Sequence, residues 1–232
     1  MSIEQKEKVG RIFSFVLLIA CAIAITVTAI IFKQKILLII PLYVSLVVGM
    51  LQSRANRFSY LLGGINCIIY TVAYLIMGLY ASATSALLFS CPIQIITFLR
   101  WSKRSYKQST EFKTLKPIQW MLGIIVFAVC FTIMNFALDA ADAKYPLLDN
   151  LTTMVGLAVS LLSLLSFREY SWLMLVTGFL NLLLFAVMMS DDPAQSTYFI
   201  YAINSMICVI AQFFSVRKLY SEQKGNTLKS VS

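Results

Sequence analysis

The chain has 232 residues, 59% of them hydrophobic and only 12% charged, with a net charge of +9 and no histidine; soluble domains average roughly 25% charged residues. This excludes a soluble globular domain and indicates an all-α polytopic membrane protein. The basic residues lie in loops beside apolar spans, which excludes nucleic acid as a partner and points to topology and contact with the lipid bilayer.

A membrane crossing needs about 20 apolar residues, and eight segments qualify, near 12–32, 36–52, 58–79, 82–100, 117–138, 147–167, 171–190 and 196–216. The first lacks a small-residue cleavage site and exceeds a signal-peptide core of about 7–15 residues, so it is expected to remain as a helix. The second carries Pro41, able to kink it. The third carries Asn66 and, four residues on and therefore on the same face, Tyr70. In the fourth, Gln94 falls at mid-membrane depth after Cys91-Pro92, where an amide is costly unless it bonds a neighbour or a ligand. Gln94, Phe98 and Trp101 form a stripe at i, i+4 and i+7. This segment runs into a loop with Arg100, Lys103, Arg104, Lys107, Lys113 and Lys116 against a single Glu111; the loop reads as a solvated, lipid-facing surface.

The fifth segment opens at Pro117, suited to a first helical turn, and holds Asn135, whose expected role is bonding between helices. The seventh carries Trp172 near its start and Asn181 with Phe185 four residues later; the eighth carries Asn204 and Gln212. Trp101, Trp120 and Trp172 sit at segment ends, where an aromatic belt is expected. The five cysteines all fall inside apolar segments without metal-ligand spacing and read as small buried hydrophobes.

Of the 19 lysines and arginines, only Lys33, Lys35 and Lys144 fall in loops on one side of this eight-segment path. All others lie in the two tails and the alternate loops. The positive-inside rule then places both termini in the cytoplasm of a multi-pass cell-membrane protein. The outer loops hold Asp139, Asp142, Asp149, Asp191 and Asp192.

An internal repeat runs through the chain. Asn66 to Tyr70 matches Asn181 to Phe185, and Gln94 to Arg100 matches Gln212 to Lys218. Two three-helix units follow, 36–104 and 146–220, joined by 105–145 (the basic loop and a linker helix), with 1–35 as an added helix and 221–232 as a cytoplasmic tail. A three-helix unit ends on the side opposite its start, so one intervening helix gives both copies the same orientation, making parallel repeats.

After the first helix, nearly the whole chain resembles the PnuC family of nicotinamide riboside transporters, most closely at Gly78-Leu79-Tyr80, at Pro92-Ile93-Gln94-Ile95-Ile96 with Trp101, and from Arg168-Glu169 through Trp172 to Asn181. Thr97-Phe98 stands where the family tends to have Gly-Trp. The resemblance implies a 3+1+3 fold similar to the SWEET sugar transporters, and import of nicotinamide riboside or a related vitamin. Relatives associated with thiamine, riboflavin or other nucleoside-like molecules keep the substrate open within that class.

The residues agree with such a solute. Asn66, Gln94, Asn181, Asn204 and Gln212 offer amides to ribose hydroxyls or a carboxamide, while Tyr70, Phe98, Phe185 and Trp172 offer rings to a heterocycle or a cation. A charged ligand normally meets a counter-charge, and no obvious one stands in these spans. No ionisable residue sits in the middle of a span, which favours uncoupled facilitated diffusion over ion coupling. There is no phosphate-binding loop, no metal-ligand cluster and no reactive constellation of histidine, base-paired cysteine or intramembrane carboxylates, so neither cofactor nor catalysis is expected. Accumulation would then depend on a separate cytoplasmic kinase that traps the solute as a phosphate. An integral-membrane scaffold remains as the other class, and a homo-oligomer stays open.

Overall fold

The computed structural model describes residues 3–229. In lipid every backbone polar group must be satisfied within its own segment, so apolar runs of this length become helices. Among the described residues there are eight long helices: α1 Ile3–Ile31, α2 Ile36–Gln52, α3 Phe58–Met77, α4 Tyr80–Lys103, α5 Pro117–Ala140, α6 Pro146–Leu164, α7 Tyr170–Asp191 and α8 Ser196–Lys229. Six are long and apolar enough to cross a membrane by length and composition. The apolar part of α1, Phe15–Ile31, and α2 are shorter, within the lower limit of about 17 residues for a span.

Local chemistry sets the ends. Proline stands in the first turn of α5 and α6, where its missing N–H costs nothing. Helix α3 stops at Gly78, whose φ of 73° is left-handed; the Leu79 N–H reaches back to the Tyr74 carbonyl at 2.9 Å, closing a Schellman-type cap. Helix α4 is not regular. It begins as α-helix to Ser85, widens into a π-helical turn over Ala86–Ser90 and resumes at Cys91, with Pro92 in the next turn. Widened turns of this kind recur at functional sites.

Packing follows a ring. Helix α2 lies between α8 and α3, α3 touches α4, α4 touches α6, α6 touches α7, and α7 returns to α8. Helix α1 packs outside against α8 and α2, and α5 packs outside against α6, with Leu138 its one buried residue. Two buried apolar clusters close the ring at its ends. One holds Leu42, Leu79, Leu184, Phe185, Met188 and Tyr198; the other holds Ala55, Tyr60, Trp101, Phe112, Tyr170 and Val216.

The second cluster is capped by the α4–α5 loop, which corrects the expectation of a solvated surface. Strand β1, Ser105–Tyr106, pairs antiparallel with β2, Ser109–Thr110, and Ser109 and Thr110 are buried. The hairpin is tied to the bundle from three sides. The Arg57 N–H donates to the Gln108 carbonyl at 3.0 Å; Lys113 donates to Ser166 at 2.9 Å and accepts from Arg168 at 2.9 Å. From α8, Gln223 accepts from the Phe112 N–H at 3.0 Å and donates to the Thr110 carbonyl at 2.9 Å, while Glu222 pairs with Lys107 at 2.7 Å. The surface around it stays basic, but its backbone is structural. This is the hairpin end of the bundle. Helices α1 and α8 also run further toward it than their apolar segments indicated.

Candidate functional site

Inside the ring, between the two apolar clusters, lies a cavity of about 300 Å³ walled by α2, α3, α4, α6, α7 and α8. The helix periods explain the wall. On α4, Ser82, Ala86, Ser90 and Gln94 recur every four residues across the widened turn, and on α6, Thr152, Gly156 and Ser163 follow at similar spacing, so each helix presents one small, hydroxyl-rich face. Tyr70, Tyr74 and Tyr201 supply rings. The Tyr70 and Tyr74 rings stack at 5.1 Å, 19° apart, and the Ser45 hydroxyl donates to the Tyr70 hydroxyl at 3.0 Å. No wall residue among those described is charged.

Four of the sequence-predicted residues line this cavity: Asn66, Tyr70, Gln94 and Asn181. Asn66, 3% exposed, donates its side-chain amide to the Pro41 carbonyl at 3.0 Å and to the Ser45 hydroxyl at 2.8 Å. Gln94 donates to the Cys67 sulfur at 3.3 Å. The carbonyl oxygens Asn66 Oδ1 and Gln94 Oε1 are buried without a partner, a state that costs about 1–3 kcal/mol each unless a donor arrives. Asn181 bonds its own helix, to the Thr177 carbonyl at 3.0 Å. Gly63 is what lets α4 come this close. A Cβ there would collide with Gln94 Oε1, and one on Gly64 would stand 3.0 Å from Ile95 Cγ1, the small-residue packing expected between membrane helices.

The other five candidates lie elsewhere. Phe185 packs against Tyr198 at 5.4 Å in the apolar cluster opposite the hairpin. Phe98 leans on Phe58 at 5.5 Å, beside the hairpin-end cluster. Asn204 lines a smaller space of about 60 Å³ between α1, α2 and α8. Gln212 is buried behind the wall and donates to the Tyr170 hydroxyl at 3.1 Å. Trp172 is 61% exposed, edge-on to Phe213. The i, i+4 rule put each ring on its asparagine's helix face but could not say that Phe185 sits one turn beyond the cavity.

Two further expectations are corrected. Trp101 does not sit in an interfacial belt: it is fully buried, its indole N–H donating to the Ser163 carbonyl at 2.9 Å, with Tyr60 edge-on at 4.7 Å. The hairpin folds over it and removes the interface. Asp149 does not lie in a loop. It belongs to the first turn of α6, 1% exposed, and its carboxylate accepts from the backbone N–H groups of Ala81 at 3.0 Å and Ser82 at 3.2 Å, donors that the start of a helix leaves unpaired. Sequence reasoning also missed the hydroxyls of Ser82, Thr153 and Ser160. Their signal was present as Ser and Thr at three- and four-residue spacing on otherwise apolar helices. Among the described residues no group of three or more His, Cys, Asp or Glu gathers as a metal site, and all five cysteines are free.

The family model for the nicotinamide mononucleotide transporter matches residues 35–214. A nicotinamide riboside transporter PnuC of Neisseria mucosa is 26% identical over 159 residues, covering 64% of this chain and 60% of that protein, so the match spans less than two thirds of the relative's length. The fold is that of a solved structure, the vitamin B3 transporter PnuC, with a TM-score of 0.75 at 20% identity, covering 90% of this chain and 92% of that one.

Proposed function

From the premise that the chain belongs to the nicotinamide mononucleotide transporter family, we propose that it carries nicotinamide riboside, or a vitamin of the same nucleoside-like class, across the cell membrane by facilitated diffusion. One observation carries the substrate reading: a cavity inside the ring with no charged wall residue among those described, in which two amides, Asn66 and Gln94, keep an unpaired carbonyl oxygen and stacked tyrosines share the wall. A ribose hydroxyl or carboxamide N–H satisfies such an oxygen, and a heteroaromatic ring suits the tyrosine faces. A cavity of this volume is at the small end of ligand sites, roughly 300–1,000 Å³. A phosphate dianion would meet no cation in it, so the dephosphorylated nucleoside is favoured over the nucleotide.

The transport step follows from the ring. Units 36–104 and 146–220 move against each other about the cavity; the clusters at its two ends open in turn, and α5 serves as the linker. The hairpin end faces the cytoplasm with both termini, in keeping with the distribution of Lys and Arg. The absence of a charged group from the wall supports uncoupled movement, stopping at equal concentrations, with net uptake maintained by a cytoplasmic kinase. A titration of purified protein with nicotinamide riboside, thiamine, riboflavin and uridine tests the substrate. The reading expects measurable binding of the first alone or far above the rest; saturable binding of riboflavin or thiamine instead would replace it with another carrier of the same fold.

A further inference from the structure

No described residue of the cavity wall is charged, yet a carboxylate is bonded to the wall from behind. Asp149 holds the Ser82 hydroxyl as well as the two backbone N–H groups of α4. Ser82 is itself a wall residue, and its hydroxyl lies 3.2 Å from that of Thr153, another. Capping alone does not require this charge, because an uncharged Asn or Ser caps a helix start about as well. All three bonds are donated to the Asp149 carboxylate oxygens, and such bonds are strongest to a charged acceptor. Among the described residues the ion pairs are Lys107–Glu222 and Arg168–Glu169, neither involving Asp149. Lys144, five residues before it, places its ammonium over the Tyr145 ring at 5.1 Å. Asp149 is therefore a buried carboxylate with three donors and no cation among its described partners, and when it is ionised its field reaches the adjoining cavity through a low-dielectric surrounding. The Ser82 hydroxyl extends it. With its proton given to Asp149, it has only lone pairs left to offer the cavity.

We propose that Asp149 is the counter-charge for a cationic solute, acting through Ser82, so that the cavity selects a positively charged heteroaromatic ring over a neutral one of the same shape. This rests on the reading of the cavity as a nucleoside-like site. A pyridinium ring carried near Tyr70 and Tyr74 gains from the field, whereas its neutral counterpart gains nothing. The residue is a specificity determinant that touches the wall and not the solute.

The test uses the full chain and a matched pair of probes: nicotinamide riboside, a pyridinium cation, and its two-electron-reduced dihydropyridine form, which is neutral and nearly the same shape. Calorimetric titration of the unaltered protein should show the cation binding about 10-fold more tightly, the size expected of one charge–charge attraction across a partly buried site. Asp149→Asn should bring the two affinities together by weakening only the cation, and Asp149→Glu should keep the preference. Asp149→Ser, which retains a capping oxygen without the charge, serves if the asparagine variant does not fold. Equal affinities in the unaltered protein overturn the proposal, as does a variant that weakens both probes alike, which would make Asp149 a structural cap. If neither probe binds the unaltered protein, the substrate reading itself fails and the counter-charge falls with it.

Discussion

Gln94→Met separates a binding role from a packing role more cleanly than any other substitution in the cavity. The Gln94 amide makes one bond inside the protein, 3.3 Å to the Cys67 sulfur, and a thiol is a weak acceptor. Its oxygen has no partner. Methionine is unbranched and similar in length, so it follows the same path past Gly63, where a branched side chain would crowd α3. The weak bond lost is offset by removing an unsatisfied buried oxygen, and stability should change by less than about 1 kcal/mol. Binding is different. A solute hydroxyl or amide that had met Gln94 is left unpaired in a desolvated site, which costs about 1–3 kcal/mol, or roughly 5- to 150-fold in affinity. Calorimetric titration with nicotinamide riboside, alongside thermal denaturation, reads both quantities. A variant that melts and binds like the parent would show that Gln94 only fills space between α3 and α4.

Asn66→Leu should differ in kind. Its amide holds Pro41 and Ser45 on α2, so binding should weaken and stability should also fall by about 1–3 kcal/mol, seen as a lower melting temperature; an unchanged melting temperature contradicts the described bonds. Cysteines introduced one at a time at Lys107, Lys224, Asp142 and Asp191 should be labelled by an impermeant thiol reagent only at the two aspartate positions in intact cells, and labelling at Lys107 would invert the proposed orientation. Gln223→Ala removes two bonds that pin the hairpin to α8 and should speed tryptic cleavage at Lys107 several-fold, whereas an unchanged cleavage rate would show that the remaining ties suffice.

The eight helices were legible because lipid leaves the chain few alternatives, and apolar runs near 20 residues mark a span whatever surrounds them. Their ends were less so. Nothing in the polar residues of α1 or beyond Val216 in α8 breaks a helix, and both continue past the apolar stretch that made them visible. The hairpin gave little sign of itself, since Tyr106-Lys107-Gln108-Ser109 has no Gly or Asn-Gly turn and Lys107 adopts a φ of 54°, conformationally costly without Gly. That fold then reassigns Trp101, which reads as interfacial when the next segment is taken for open loop. In the cavity, Asn66, Gln94 and Asn181 stood out because amides are expensive in a span. Phe98 and Phe185 were chosen by their position relative to an amide, and periodicity fixes a helix face without fixing the depth of a void. Asp149 looked like a loop residue because its burial comes from a partner helix 67 and 68 residues away in sequence.

Uptake into liposomes shows whether this chain is an uncoupled carrier for a nicotinamide riboside-like solute. With purified protein in vesicles and labelled nicotinamide riboside outside, entry should be saturable and stop when inside and outside concentrations are equal, with a plateau unmoved by an imposed pH or sodium gradient. Enclosing an active nicotinamide riboside kinase with ATP should raise total label inside several-fold without raising the free nucleoside. Accumulation of free nicotinamide riboside driven by either gradient would show ion coupling, and entry no faster than into protein-free vesicles would show that the chain does not carry this solute.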